Sequence, residues 1–209
     1  DDEFGYLHQG TCLINMGRYE DAVRQLTKAE RTTPYDSPYL TEIYQELAFA
    51  YSEMHLTETA IAYIDKTDRL DCDHIDMQVI KGHILLSNNR IEEAEKVFKK
   101  AIADSTDTPR TLMRIIVSLY DNQFLEAAYV MFLHFFEYVD DDWTEGYAYM
   151  ALCCYDLKRD EEFLKYLRLA VEKNPREAQG LLSFLFPAGM PVTDYVSYME
   201  QRLSAQNPS

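Results

Sequence analysis

The chain is 209 residues long and 47% hydrophobic, with 36 acidic residues against 20 basic ones and a net charge of −16. This length and apolar content suit a continuous core in one domain or a small pair, while the acidic balance disfavours nucleic acid and anionic membranes, which are gripped by clustered Lys and Arg. No run approaches the roughly eighteen apolar residues of a membrane span, and the seven glycines are too dispersed to cradle a phosphate.

The chain opens Asp1-Asp2-Glu3-Phe4, without the basic region or apolar stretch of a signal peptide. It carries no initiator Met there, so the native N-terminus is not visible. From Phe4 onward apolar residues step by three or four, which predicts amphipathic helices arranged in pairs. The first helix spans about 4–16, turns at Gly17-Arg18, and its partner runs to about Thr32. The next pairs are 39–54 with 57–70, 75–88 with 92–104, 109–121 with 124–138, and 143–156 with 160–173. Their turns fall at His55, Asn89, Gln123 and Lys158. Ser37-Pro38 and Thr108-Pro109 each place a capping hydroxyl before a Pro suited to a first helical turn. Asp160-Glu161-Glu162 brings negative charge to a helix N-terminus, where the dipole favours it.

After Pro175 the pattern changes. The run Gly180-Leu181-Leu182-Ser183-Phe184-Leu185-Phe186 is too apolar for a capping helix that faces water. Pro187, Gly189 and Pro191 interrupt the chain, and Thr193 then caps a last helix to about Ser204. That helix carries Val196, Met199 and Leu203 on one stripe, flanked by Tyr195 and Tyr198. The expectation is that it folds back over the apolar run, the competing arrangements being a homodimer contact through that segment or the docking of an upstream domain on it.

A longer period organises these pairs. Tyr6, Gly10, Leu13, Gly17, Tyr19, Ala22, Leu26, Ala29 and Pro34 form a set whose spacing recurs around Ala60, Ala94, Ala128 and Phe163. From Ala22 onward these anchors lie 38, 34, 34 and 35 residues apart. A fixed period of this size indicates stacked helical hairpins, none able to bury its apolar face alone. Facing positions read Gly10/Ala22, Ala48/Ala60, Gly82/Ala94, Ile116/Ala128 and Ala151/Phe163, so each crossing has a small residue where bulk would force helices apart. The fold expected is an all-α solenoid of about five antiparallel pairs. The repeats occupy 3–175, as 3–34, 41–74, 75–108, 109–142 and 143–175, followed by C-terminal capping helices and a tail over 176–209.

The first unit resembles the tetratricopeptide repeat family through Gly10, Gly17, Tyr19, Ala22, Ala29 and Pro34. The third, with Gly82, Leu85, Ala94, Phe98 and Ala101, and the fifth, with Tyr147, Ala151, Leu167, Ala170 and Pro175, resemble it as well. The fourth departs from the pattern, with Ile116 for the first small residue and Phe135 for the last, and the fifth has Phe163 where Ala is expected. The resemblance implies a right-handed superhelix whose first helices line a concave groove. Partner-contacting positions would be Leu7, Thr11, Phe49, Val79, His83, Met113, Val117, Leu152 and Tyr155. An apolar, aromatic lining of this kind suits a partly apolar peptide or helix, and the acidic surface suits a basic partner. One branch of the family grips chaperone C-terminal carboxylates with basic groove residues. The matching positions here are Leu7, Thr11, Glu46, Asp76 and Ile80, so no such clamp is expected.

Chemistry is sparse elsewhere. Asp71-Cys72-Asp73-His74 with Asp76 has no second ligand pair for zinc, and Asp140-Asp141-Asp142 lacks the alternation of a calcium loop, so both read as turns with helix-capping acids. His8, His55, His74, His83 and His134 share no motif with a nucleophile, so neither an enzyme nor a metal or other cofactor is expected. Cys12, Cys72, Cys153 and Cys154 show no CxxC spacing and read as free thiols, Cys12 and Cys153 on inward faces, which favours a cytoplasmic compartment. The expected function is a non-enzymatic protein-interaction scaffold or adaptor, the alternative being a regulatory or structural repeat domain of a longer polypeptide.

Overall fold

The computed structural model describes residues 3–206; Asp1-Asp2 and the last residues of the expected tail, 207–209, lie outside the described residues. Among the described residues the regular structure is entirely helical. Five tight turns set its rhythm. Gly17, His55, Asn89, Gln123 and Lys158 all have left-handed backbone, with φ of 70, 59, 59, 65 and 61°. At each turn two backbone N–H groups reach back to the helix just ended. Gly17 donates to the Ile14 carbonyl at 2.8 Å and Arg18 to Leu13 at 2.9 Å, and the same pair recurs through Lys158 to Tyr155 at 3.1 Å and Arg159 to Cys154 at 2.9 Å. These are Schellman closures, which satisfy the carbonyls a helix end leaves open.

The chain divides into two compact units after Thr106. The N-terminal unit holds α1 (Glu3–Asn15), α2 (Tyr19–Thr32), α3 (Tyr39–Glu53), α4 (Thr57–Lys66), α5 (His74–Ser87) and α6 (Ile91–Asp104), with a 3-10 turn at Thr67–Arg69 where sequence periodicity alone extends α4 to about residue 70. Consecutive helices pack on one another, and the first helices α1, α3 and α5 also touch in series. A side chain added at Gly10 would collide with Leu26, and one at Gly82 with the Phe98 ring, so each glycine meets a residue one turn beyond the alanine paired with it above. Polar contacts tie neighbouring hairpins: Tyr19 donates to Glu53 at 3.2 Å, Lys66 to Glu30 at 2.8 Å, and Asn88 to the Ser52 hydroxyl at 3.1 Å.

The C-terminal unit holds α7 (Thr108–Asp121), α8 (Leu125–Tyr138), α9 (Tyr147–Asp156), α10 (Asp160–Lys173), α11 (Pro175–Leu182) and α12 (Tyr195–Gln206). Phe163 keeps the register of the alanines it replaces. Its N–H donates to Arg159 as that of Ala22 does to Arg18, and its ring, fully buried, lies 5.3 Å from that of Tyr155. Phe135 is also fully buried where a small residue is expected, and α9 starts late, at Tyr147 rather than Trp143. The Asp140-Asp141-Asp142 run therefore caps no helix. Left-handed Gly146 starts α9 instead, with Met113 packed where a side chain would project and its N–H bound by both carboxylate oxygens of Glu177 at 3.1 and 3.2 Å.

Other boundaries shift for similar local reasons. Asp107, not Thr108, caps α7 by accepting the Arg110 N–H at 3.2 Å, whereas the Ser37 hydroxyl does accept a backbone N–H, from Tyr39 at 3.4 Å. A 3-10 turn at Val192–Asp194 leads into α12, so Thr193 is not the residue before that helix. The last helix packs on α10 as α11 packs on α9, so the chain continues the stack beyond Pro175. Its anchors are Tyr195 and Met199, 2% and 1% exposed, while Val196 and Leu203 are only half-buried. Tyr195 stacks on Phe186 with ring centroids 3.7 Å apart, and Leu182 and Leu185 are buried, although Phe184 stays exposed. All four cysteines are free. Cys12 is exposed rather than inward, while Cys153 is buried and donates to the Leu125 carbonyl at 3.4 Å. Burial pushes the Cys153 and Cys154 thiols up to about 11 and about 12.

Candidate functional site

Helices α1, α3 and α5 lie side by side, which aligns one stripe from each along a common surface. Thr11, Ile14 and Asn15 come from α1, Gln45, Glu46 and Phe49 from α3, and Ile80 and His83 from α5. Together they line an open groove of about 400 Å³. Helical spacing explains the assembly: Thr11 to Ile14, Glu46 to Phe49 and Ile80 to His83 are each three residues apart, hence neighbours on one helix face. Thr11 bonds its own helix, donating to the Leu7 carbonyl at 3.2 Å, and Gln45 donates to the Met77 sulfur at 3.4 Å. Phe49 is 42% exposed, and its ring meets that of Tyr19 edge-on at 6.5 Å. The Tyr19 hydroxyl is in turn held by Glu53, so the aromatic wall is braced from the neighbouring hairpin.

Of the residues assigned to partner contact from sequence, Thr11, Phe49 and His83 meet in this groove. Leu7 and Val79 are buried at 2% and 6% exposure. They cannot present a contact surface as they stand; Leu7 belongs to the core with Leu26, Ile43 and Leu47. In the C-terminal unit Met113, Val117 and Tyr155 are half-buried and Leu152 is buried at 7%. Ile14 and Asn15 were not assigned from sequence, although Ile14 continues the Leu7–Thr11 stripe and the same periodicity points to it.

Glu46 brings the only carboxylate among the groove-lining residues. Burial, and then the neighbouring charge of Glu42 one turn earlier, hold its pKa above the usual carboxylate range. Among the described residues no cation or hydrogen-bond donor pairs with it. The other acidic constellations are engaged locally: Asp73 caps α5, accepting from Ile75 at 3.1 Å and Asp76 at 3.2 Å. Among the described residues no group of His, Cys, Asp and Glu is arranged to hold a metal ion, and no helix is long and apolar enough to cross a membrane.

Residues 75–103, the third hairpin, match the family profile described as tetratricopeptide repeat. The third hairpin is a tetratricopeptide repeat. The same Schellman turn and N-terminal register recur in all five hairpins, so both units share that hairpin geometry. Three solved structures show the same fold. The Rap conjugation gene regulator of plasmid pLS20, in complex with the Phr* peptide, is 16% identical with a TM-score of 0.55, over 99% of this chain and 64% of that one. PilF of Pseudomonas aeruginosa is 17% identical with a TM-score of 0.52, over 99% and 92%. MamA of Desulfovibrio magneticus RS-1 is 17% identical with a TM-score of 0.50, over 83% and 98%. No curated protein sequence matches the chain.

Proposed function

We propose that this tetratricopeptide-repeat chain is a non-enzymatic interaction scaffold whose N-terminal unit binds a partly apolar peptide or helix in the groove beside Phe49. The observation that carries the reading is Phe49 itself: a large aromatic side chain left 42% exposed above a groove walled by Ile14 and Ile80. Water gains nothing from such a surface, and covering it is favourable. Thr11, Asn15, Gln45 and His83 supply polar atoms that orient a backbone. The lining includes neither Lys nor Arg, so a terminal carboxylate of the chaperone-tail kind finds no partner there. The Rap regulator, of the same fold, is itself recorded with a bound peptide. On the C-terminal unit we assign a separate contact role to Met113, Val117 and Tyr155.

Panning the full chain against a displayed library of random 12-residue peptides tests this. Selected peptides should lose affinity by roughly tenfold or more on Phe49→Asp, the scale of a central aromatic anchor, with far-ultraviolet circular dichroism unchanged. Tyr155→Asp should affect a different set of selected peptides. Peptides that bind the Phe49→Asp chain as tightly as the unaltered one would move the site out of this groove.

A further inference from the structure

We infer that the groove of the N-terminal unit reads a basic side chain, with Glu46 as the acid that receives an Arg or Lys of the bound segment. The inference rests on the groove reading above and adds to it the chemistry of the occupant. Three observations converge on it. Glu46 is the sole carboxylate in the lining, it is partly buried, and among the described residues no donor or cation satisfies it. A carboxylate taken partly out of water without a partner is costly to the free protein, so a ligand that supplies a cation there recovers that cost as affinity. Glu42 lies one turn earlier on the same helix, and two like charges at that spacing repel until a positive charge comes between or beside them.

The neighbourhood suits a cation rather than a neutral donor. Phe49 is one turn beyond Glu46, and its exposed ring offers a π face to an ammonium or guanidinium that also reaches the carboxylate. No Lys or Arg lines the groove to compete for that position. At longer range the net charge of −16 draws a basic segment toward the protein and repels an acidic one. The occupant is therefore a segment with a basic residue flanked by a large apolar one, the cation on Glu46 and the apolar group against Ile14, Ile80 and Phe49.

The test pans the same random 12-residue library against three full chains: unaltered, Glu46→Gln and Glu46→Lys. Glu46→Gln keeps the shape and removes the charge. On the unaltered chain, Phe49-dependent peptides should be enriched in Arg or Lys next to a large apolar residue. Their affinity should fall roughly tenfold to a hundredfold on Glu46→Gln, as expected for loss of a charge-assisted hydrogen bond. On Glu46→Lys the enrichment should reverse toward Asp and Glu, with the apolar preference retained. Phe49-dependent peptides that show no basic enrichment, or that ignore Glu46→Gln, overturn this inference and leave the groove reading standing. Failure to obtain any Phe49-dependent peptide overturns both.

Discussion

The left-handed turn residue is where one side chain most directly governs this structure. Only Gly17 among the five is a glycine; His55, Gln123 and Lys158 hold φ near 60° with a Cβ that crowds the following carbonyl. That crowding costs roughly 1–2 kcal/mol, while glycine's extra freedom in the unfolded chain costs roughly 0.5–1 kcal/mol, so the strain term wins. Replacing His55 or Gln123 with Gly should therefore raise stability by about 0.5–1 kcal/mol each. Asn89→Gly should gain less, since Asn tolerates this conformation, and Lys158→Gly also forfeits an ammonium 5.0 Å from the Tyr155 ring centroid. Gly17→Ala should lose about 1 kcal/mol from strain alone, because nothing lies within 4 Å of the added methyl. Urea denaturation of the single variants measures all of this, and a His55→Gly chain no more stable than its parent would refute the account.

Among the elements, the pair formed by α11 and α12 is the one that composition makes hardest to place. Its apolar residues exceed what an end cap needs, and stacking on α9 and α10 uses them: Leu182, Leu185, Phe186, Tyr195 and Met199 are all buried. Glu177 adds a polar link by binding the N–H of Gly146, the residue before α9, across the interface between α11 and α9. Tyr195→Ala should cost about 3–4 kcal/mol, the range for emptying a buried aromatic site. Ending the chain after Phe186 removes Tyr195 and Met199 together, so it should lower the melting temperature further or drive self-association through bared Phe186. Melting curves with light scattering decide the matter. A truncated chain that stays monomeric with an unchanged midpoint would show that α12 contributes nothing to closing the stack.

For the whole molecule, charge and tyrosine ionisation set how stability responds to solution conditions. Exposed ion pairs such as Lys99–Glu95 contribute little, since solvent and salt screen them. Tyrosines bonded to acids in an adjacent hairpin matter more. Burial and the Asp156 carboxylate push Tyr120 up, burial and Glu30 push Tyr63 up, and the hydrogen bond to Glu162 followed by burial pushes Tyr129 up to about 12. The unfolded chain releases these protons near pH 10, before the folded one does, so the folded state holds more protons above that point. Their contribution is complete below about pH 10 and is lost as pH rises through the folded values. The melting temperature should accordingly hold between about pH 8 and 9.5 and fall beyond pH 10, in step with tyrosinate absorbance near 295 nm. Tyr120→Phe should make that fall shallower, and a midpoint unchanged to pH 11.5 would rule the mechanism out.

Much of the repeat was legible because its causes are local. Each turn needs a left-handed residue after a helix and a fixed register after it, so Gly17, His55, Asn89, Gln123 and Lys158 were placed from spacing alone. Phe163 held its register for the same reason, since backbone bonds at Arg159 and not side-chain volume position it. What depends on neighbours was not legible. Cys12 and Cys153 share a repeat position, yet one is exposed and one buried, the second lying on α9 with α8 packed against it. Asp140-Asp141-Asp142 looked like a cap until Phe135 and Gly146 settled where α9 could begin. The groove divides in the same way. The tetratricopeptide resemblance implied groove-facing positions for Thr11, Phe49 and His83, but an amphipathic stripe is wider than a contact surface. The sequence alone therefore determined the helices, their turns and their pairing; tertiary packing decided that Leu7, Val79 and Leu152 fall inside and that Glu46 stands beside Phe49 with no partner among the described residues, since burial depends on the helix packed alongside.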